Sequence, residues 1–497
     1  MKQKPVLFLT LILCFFKQVD AQIESNLPDE RMFKWNTVGF QRNPANIFPE
    51  PQVILELQPP SLSPDKNFRN LLNVLNQIDT IDQIVEIRFK EGNYIFNRSI
   101  FINKNNLILR GEGENKTKLT FSPQTINSGV YGLRLEGKLL KSTKKNIVLD
   151  YCKKKRKIVF ADEVVNYKDG CYLDIRVQNG SWYNSTNAKD GEPAFFLGQI
   201  VKVKRNLKKD TEFILDDDIS LVWEMAVLEN KEIIAEVFQP VKNVGIFSLI
   251  VESKKKGNGY GSNFLIRYAA DCWIENIESV NPPQVHFDID RSSTIVVKNN
   301  FIHHTQDYGK IPGAGYGVHI HSRSSNCLIE NNIFYYLRHS MVVSRSANKN
   351  VFAYNFSTNQ YSYPVSGLSD LNVHGFYPFG NLFEGNIVER IQADSYWGSN
   401  GPFNTFLRNY ITDGYFKIEM ADYSNSILNS SPPQINKSKF VVVQDSEKKK
   451  DISYYLKQKP GFLQNWNWPP IGNENSKKRK DLLELIPAQR KYKIIMK

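Results

Sequence analysis

All seven histidines of this chain, His286, His303, His304, His319, His321, His339 and His374, fall between residues 286 and 374. Imidazole exchanges a proton near neutral pH and is the commonest metal ligand, so the concentration points to acid–base chemistry or a cation site. Carboxylates accompany it. In Val285-His286-Phe287-Asp288-Ile289-Asp290 the apolar residues take one face of an extended chain and His286, Asp288 and Asp290 take the other. In Val318-His319-Ile320-His321 the two histidines again share the polar face. A solvated histidine-rich surface is the plain alternative.

Arginine forms a second series. Arg267, Arg291 and Arg323 each lie nine residues before an asparagine (276, 300, 332), and Arg345 lies ten before Asn355. The guanidinium fork fits a carboxylate or a sulfate, so Arg291, Arg323 and Arg345 are candidate substrate ligands. Solvated bends are the other reading.

What must position these residues is a repeat. Short apolar runs ending in asparagine recur at Asn276, Asn300, Asn332, Asn355, Asn386 and Asn409, with steps of 24, 32, 23, 31 and 23. Four- to six-residue runs rich in Val, Ile and Phe are strands, and a period in the twenties stacks them as a β-solenoid. Asparagine suits the bends because it tolerates left-handed backbone angles and its amide bonds the rungs above and below. The two longer steps carry insertions at 303–317 and 357–380, which leave the coil on the same side and wall a cleft. Aromatics in or near them, Tyr377 and Trp397 among them, offer platforms for sugar rings or pin the loops.

The same coil is legible at residues 84–111, behind an amphipathic helix. Phe68, Leu71, Leu72 and Leu75 follow helical spacing after Ser63-Pro64, a cap for the solenoid end. From 123 to 240 the period is lost while alternation persists, which predicts a small antiparallel β-barrel inserted in the coil. The expected divisions are a leader at 1–21, capping helix and first rungs at 22–122, the insert at 123–240, the main coil at 241–440 and an irregular tail at 441–497.

Composition sets outer bounds. With 41% hydrophobic, 12% aromatic and 23% charged residues the chain is globular, not disordered, collagenous or multi-spanning. Lys2 and Lys4 before an apolar run to Phe16, with Val19-Asp20-Ala21, read as a secretory signal peptide, too short to span a membrane. Removing its three lysines and one aspartate takes the net charge from +13 to +11. The product is expected outside the cytoplasm, extracellular or periplasmic. That charge favours an acidic partner, although runs such as 153–157 and 477–480 read as solvated loops, and nothing further suggests nucleic acid. Cys152, Cys171, Cys272 and Cys327 are too sparse for a disulfide framework; a Cys152–Cys171 bridge and buried thiols both stay open.

The segments "IVEIRFKEGNYIF" and "NLILRGEGENKTKLTF", with Gly92, Tyr94, Leu109, Gly111, Gly113, Thr117 and Leu119, resemble the opening of the secreted pectate-lyase-like proteins. "GQIVKV", "LIENNIFYYLRHSMVVSRSANKNVFAYN" and "KPGFLQNWNWPPIG" resemble bacterial members of that group described only by their fold. The resemblance spans about residues 35–490 and implies an all-β, right-handed parallel β-helix. It assigns no catalytic residue: the acidic set of polygalacturonases and the arginine motif of pectate lyases are missing, and the fold carries lyases, hydrolases, epimerases and adhesins.

Three functions follow from the residues. A lyase acting on an acidic, uronate-containing polysaccharide needs a cation on the carboxylate (Arg291, Arg323, Arg345), a base (His319 or His321) and an acid for the leaving oxygen (Tyr316 or His374). His286, Asp288 and Asp290 complete that catalytic patch, and a divalent cation such as calcium is a possible helper. A glycoside hydrolase would pair Asp288 with Asp290, Asp370 or Asp394. A non-catalytic glycan-binding surface protein would use the aromatic cleft alone.

Overall fold

The structure, a computed structural model, describes residues 27–496 except 79–82, 114, 123–129, 141–144, 148–156, 162, 164–168, 185–194, 209–210, 255–260, 365–366, 446–451 and 469–485. The expected leader and Cys152 lie outside the described residues; Cys171, Cys272 and Cys327 are buried.

Three parallel sheets coil around one apolar interior as a right-handed parallel β-helix. The first sheet runs from Val53–Glu56 through Val296–Lys298, Leu328–Glu330, Val351–Ala353 and Leu382–Glu384 to Val442–Gln444. The second includes Gly92–Phe96, Phe301–His303, Ile333–Tyr335 and Phe356–Thr358, and the third Val285–Asp290, Tyr316–His321, His339–Val343 and Leu371–His374. In-register pairing stacks like on like inside: Phe352 lies 5.3 Å from Phe383, which lies 5.1 Å from Phe406. These rings and their Ile and Val neighbours form one continuous core, removing apolar surface from water along the whole coil.

Asparagines hold one bend. Nδ2 of Asn300, Asn332, Asn355, Asn386 and Asn409 each donates to Oδ1 of the next asparagine at 2.9–3.0 Å, ending at Asn429. Each buried bond is worth about 1 kcal/mol net. Asn276 is not part of this ladder: Ile277 holds that position, its N–H donating to Asn300, and Asn276 (φ 55°) matches Asn299 (φ 58°) in the left-handed bend before it. A second ladder, Asn350 to Asn381 to Asn404, closes the bend before the first sheet.

The helix Pro64–Gln77 starts at Ser63, whose hydroxyl accepts from the Lys66 N–H, and buries Leu71 and Leu75 over the first rung. The inserted unit is antiparallel. Its strands Lys157–Val159, Glu212–Leu215, Gly198–Lys208, Tyr172–Val177, Ile233–Gln239 and Lys145–Asn146 pair in that order, and a bridge from Phe160 to Ile147 closes the ring. The antiparallel strands begin at Lys138 rather than at 123. Val130–Glu136 pairs in parallel with Ile100–Ile102 and Gly261–Arg267 and sends Leu133 and Leu135 into the coil, so it is a rung.

Two outer walls are covered. Trp35, Val38, Phe40 and Phe48 of the N-terminal strap and Tyr454, Tyr455 and Leu463 of the tail lie over the first sheet. The C-terminal helix Pro487–Ile495 sets Tyr492 against Tyr335 and Phe356 of the second, at 5.7 and 5.1 Å. The third sheet's outer face carries the polar residues.

Candidate active site

Register puts Asp288 beside His319, Asp290 beside His321, Tyr316 beside His339, and His374 beside Asp394. Because side chains alternate across a strand, Asp288, Asp290, His319 and His321 all point outward. The site is therefore built from neighbouring rungs of rigid sheet.

The long insertions leave between the second and third sheets and pack on each other: Tyr308 bridges Tyr363, and Tyr361 lies 4.9 Å from Tyr308 and 4.8 Å from Tyr336. They flank one side of the wall. The insert flanks the other, with Phe196 4.6 Å from Phe376, the Tyr183 hydroxyl donating to the Trp397 carbonyl (3.0 Å), and the Gly198 N–H donating to Ser346 Oγ (3.0 Å).

Four histidines meet here, in different states. His321 is held at both nitrogens, Nε2 by Asp288 Oδ1 (2.8 Å) and Nδ1 by Ser322 Oγ (2.9 Å). His374 is likewise saturated: Nδ1 binds Asp394 Oδ2 (2.7 Å) and Nε2 accepts from Trp397 Nε1 (3.2 Å). His339 is buried with Nδ1 on the Ser369 carbonyl, and burial, with the nearby Arg338 and His374 charges, lowers its pKa to about 3. His319 differs. Its Nε2 meets Ser344 Oγ at 2.8 Å, while Nδ1 has no hydrogen-bond partner among the described residues; the side chain is half-buried. Burial first, then the cationic forms of His321, Arg345, His374 and His339, keep it neutral, its pKa well below the usual imidazole range. Tyr316 is buried 5.4 Å from His319, ring to ring, and its hydroxyl has no hydrogen-bond partner among the described residues. Burial raises that phenol to about 12, so it stays protonated.

Several expected residues sit elsewhere. Alternation breaks at 285–287: Val285 packs outward on Tyr316 and Val342, and His286 turns in, fully buried on Ser279 Oγ (2.8 Å), where burial drives its pKa far down. Asp290 is buried between Arg267 (2.7 Å) and Arg291 (2.9 Å); burial would raise its pKa, but His321, Arg291 and Arg267 outweigh that and hold it at about 2. Arg323 is buried too, bonded through Nε and Nη2 to both oxygens of Asp174 in the insert. Arg291 is shared between Asp290 and Asp174. Arg345 is exposed, 5.2 Å from the centre of the Phe376 ring. Tyr377 is a seam residue, 4.6 Å from Trp182 of the insert, and Trp397 is half-buried on Phe376. His303 and His304 lie at the end of the second sheet, His303 on Glu278 (3.1 Å).

Three residues escaped the sequence reading. Ser344 orients His319, Tyr396 is exposed and coplanar with His374 (6.3 Å, 6°), and Arg338 stands where the chain enters the rung after Tyr316. The 23-residue step from Tyr316 to His339 is the signal that would have found Arg338.

Ligand atoms of Asp288, His319 and His321 lie within 4.8 Å of one another, the one set among the described residues with that spacing. Two imidazoles and one carboxylate suit a transition ion such as zinc; calcium takes oxygen ligands, so the set does not fit it.

No family model and no curated protein matches the chain. Among solved structures it is similar to the tailspike gp49 of Pseudomonas phage LKA1 (11% identity, TM-score 0.47, covering 73% of this chain and 56% of that one). It is also similar to the mannuronan C-5 epimerase AlgE6 A-module of Azotobacter vinelandii (11%, 0.33, 72% and 72%) and to the catalytic domain of a GH87 alpha-1,3-glucanase (13%, 0.39, 80% and 60%). The chain spans little more than half the length of the tailspike. Pectate lyases in particular are not singled out.

Proposed function

We propose that the third wall is the active site of a carbohydrate-active enzyme that breaks an acidic, uronate-containing polysaccharide by β-elimination. The observation that carries this is the pair of proton-carrying atoms without a hydrogen-bond partner among the described residues, Nδ1 of a neutral His319 and the hydroxyl of a protonated Tyr316, beside two histidines whose nitrogens are all engaged. His319 takes the proton at C5 next to the uronate carboxylate. The electron pair left behind forms the C4–C5 double bond as the C4–O bond breaks, and the leaving oxygen takes its proton from Tyr316. Water then returns a proton to the phenolate and removes one from the imidazolium. Asp288 and Asp394 keep His321 and His374 fixed, which shapes the floor.

Hydrolysis is less well supported. It requires a carboxyl that stays protonated at the bond. Asp290 and Asp394 are held low, and Asp370, raised by burial to about 7, points inside onto Ser357 Oγ (2.5 Å). The test is incubation of the purified chain with acidic and neutral polysaccharides, reading the ultraviolet absorbance of unsaturated uronate and new reducing ends in parallel. Absorbance rising with reducing ends on acidic polymers alone is expected. Reducing ends without absorbance would replace elimination with hydrolysis.

A further inference from the structure

The carboxylate of a uronate must be neutralised before its neighbouring proton can leave. The arginines that the repeat brought forward are engaged for the most part. Arg267 and Arg291 are tied to Asp290, Arg323 is clamped to Asp174, and Arg345 lies over Phe376. Arg338 is not part of that series. Its guanidinium has no ion pair or hydrogen bond among the described residues, and its Nε is shut from water with no partner, the arrangement of a donor held ready for an acceptor. Val365 and Ser366, which lie outside the described residues, carry no carboxylate.

Position supports the same conclusion. The Arg338 N–H donates to the Gly315 carbonyl (2.9 Å), and its own carbonyl accepts from Ser369, so both long loops clasp it. Gly315 has φ 83°, and a Cβ there would come 2.7 Å from the Arg338 Cβ; only glycine lets that loop close so near. Directly along the chain is His339, registered beside Tyr316 and carrying a buried Nε2 without a partner. The Arg338 charge is felt by both Tyr316 and His339.

Resting on the reading of this wall as an active site, we infer that Arg338 is the residue that grips the substrate carboxylate, making the preferred ligand a uronate next to the bond that Tyr316 serves. A guanidinium pairs with a carboxylate through two parallel hydrogen bonds, which also fixes the sugar ring. Both His319 and Tyr316 then face one edge of a ring whose charge is already neutralised.

The experiment uses the full chain with Tyr316→Phe to stop turnover, and measures binding of uronate oligosaccharides and of the same oligosaccharides after reduction of their carboxyl groups to alcohols. Adding Arg338→Gln is expected to weaken the uronate by about 10- to 100-fold and leave the reduced ligand unchanged, with Arg338→Lys recovering part of the loss. In active protein, Arg338→Gln should lower kcat more than it raises KM, because the charge on the carboxylate grows as the proton leaves. Unchanged uronate binding and turnover in Arg338→Gln, with Tyr316→Phe inactive, would overturn this inference and leave the active site standing. Full turnover by Tyr316→Phe would instead remove the active site itself. Equal binding of uronate and reduced ligand by the parent would overturn the substrate class, as would binding of neither.

Discussion

The first and third walls of this coil are built on the same inside and differ only outside. Inward, the first stacks Ile329, Phe352 and Phe383 and the third stacks Val318, Met341 and Leu371, all in one core. Outward, the first presents Val296, Leu328, Val351 and Leu382, and the chain lays its own strap and tail over them. The third presents Asp288, His319, Asn372 and Gln392, with loops and insert along its sides. One scaffold thus gives a wall covered by its own chain and a wall whose outer face carries polar side chains. The choice between them lies in every second residue of a strand.

Several substitutions would break or sharpen this contrast. Trp35→Ala empties the centre of the first wall, where the ring stacks on Tyr454 and its Nε1 donates to the Gly380 carbonyl. It should cost about 3–5 kcal/mol in denaturant melts and leave turnover per folded molecule unchanged. A loss of turnover without a loss of stability would show that the covered wall takes part in the chemistry. Arg323→Ala leaves Asp174 buried without its main partner and should cost about 3 kcal/mol, since breaking a buried pair strands one charge. The sequence alone gave Arg323 a role in substrate affinity; an effect confined to KM, with no change in melting, would restore that role.

Acid should act on the interior of the third sheet. His286 and His339 are neutral in the fold, with pKa values depressed by burial, His339 to about 3. Their contribution to stability is complete above the unfolded imidazole value near 6.5 and is lost as pH falls towards the folded one. Between about pH 7 and pH 5 each should cost about 2 kcal/mol. Equal stability at both would mean that these rings are already charged in the fold.

The sequence carried the fold because a solenoid repeats: asparagine spacing located the coil, and Ser63-Pro64 located its cap. It carried the site in part. Strand parity brought Asp288, His319 and His321 together correctly, but failed at His286, where the bend before the strand turns Val285 outward and the histidine in. Arginine spacing found the bends, with Arg291, Arg323 and Arg345 all at positive φ, but could not show that an insert more than a hundred residues earlier supplies Asp174 to two of them. Long-range partners leave no local pattern. Arg338 lay outside every pattern because its significance is the lack of a partner.

The most direct test of the reactive wall is the turnover of His319→Ala and Tyr316→Phe on the acidic polysaccharide that the parent cleaves, with a melt of each variant alongside. Tyr316→Phe keeps the ring that packs on Val285 and Val342, and His319 is half-buried outside the coil's interior, so melting should shift by no more than about 1–2 kcal/mol. Turnover should fall by a factor of about 100 to 10,000 for each. Either variant keeping full activity with an intact melt would contradict the assignment of the third wall as the place where the proton moves.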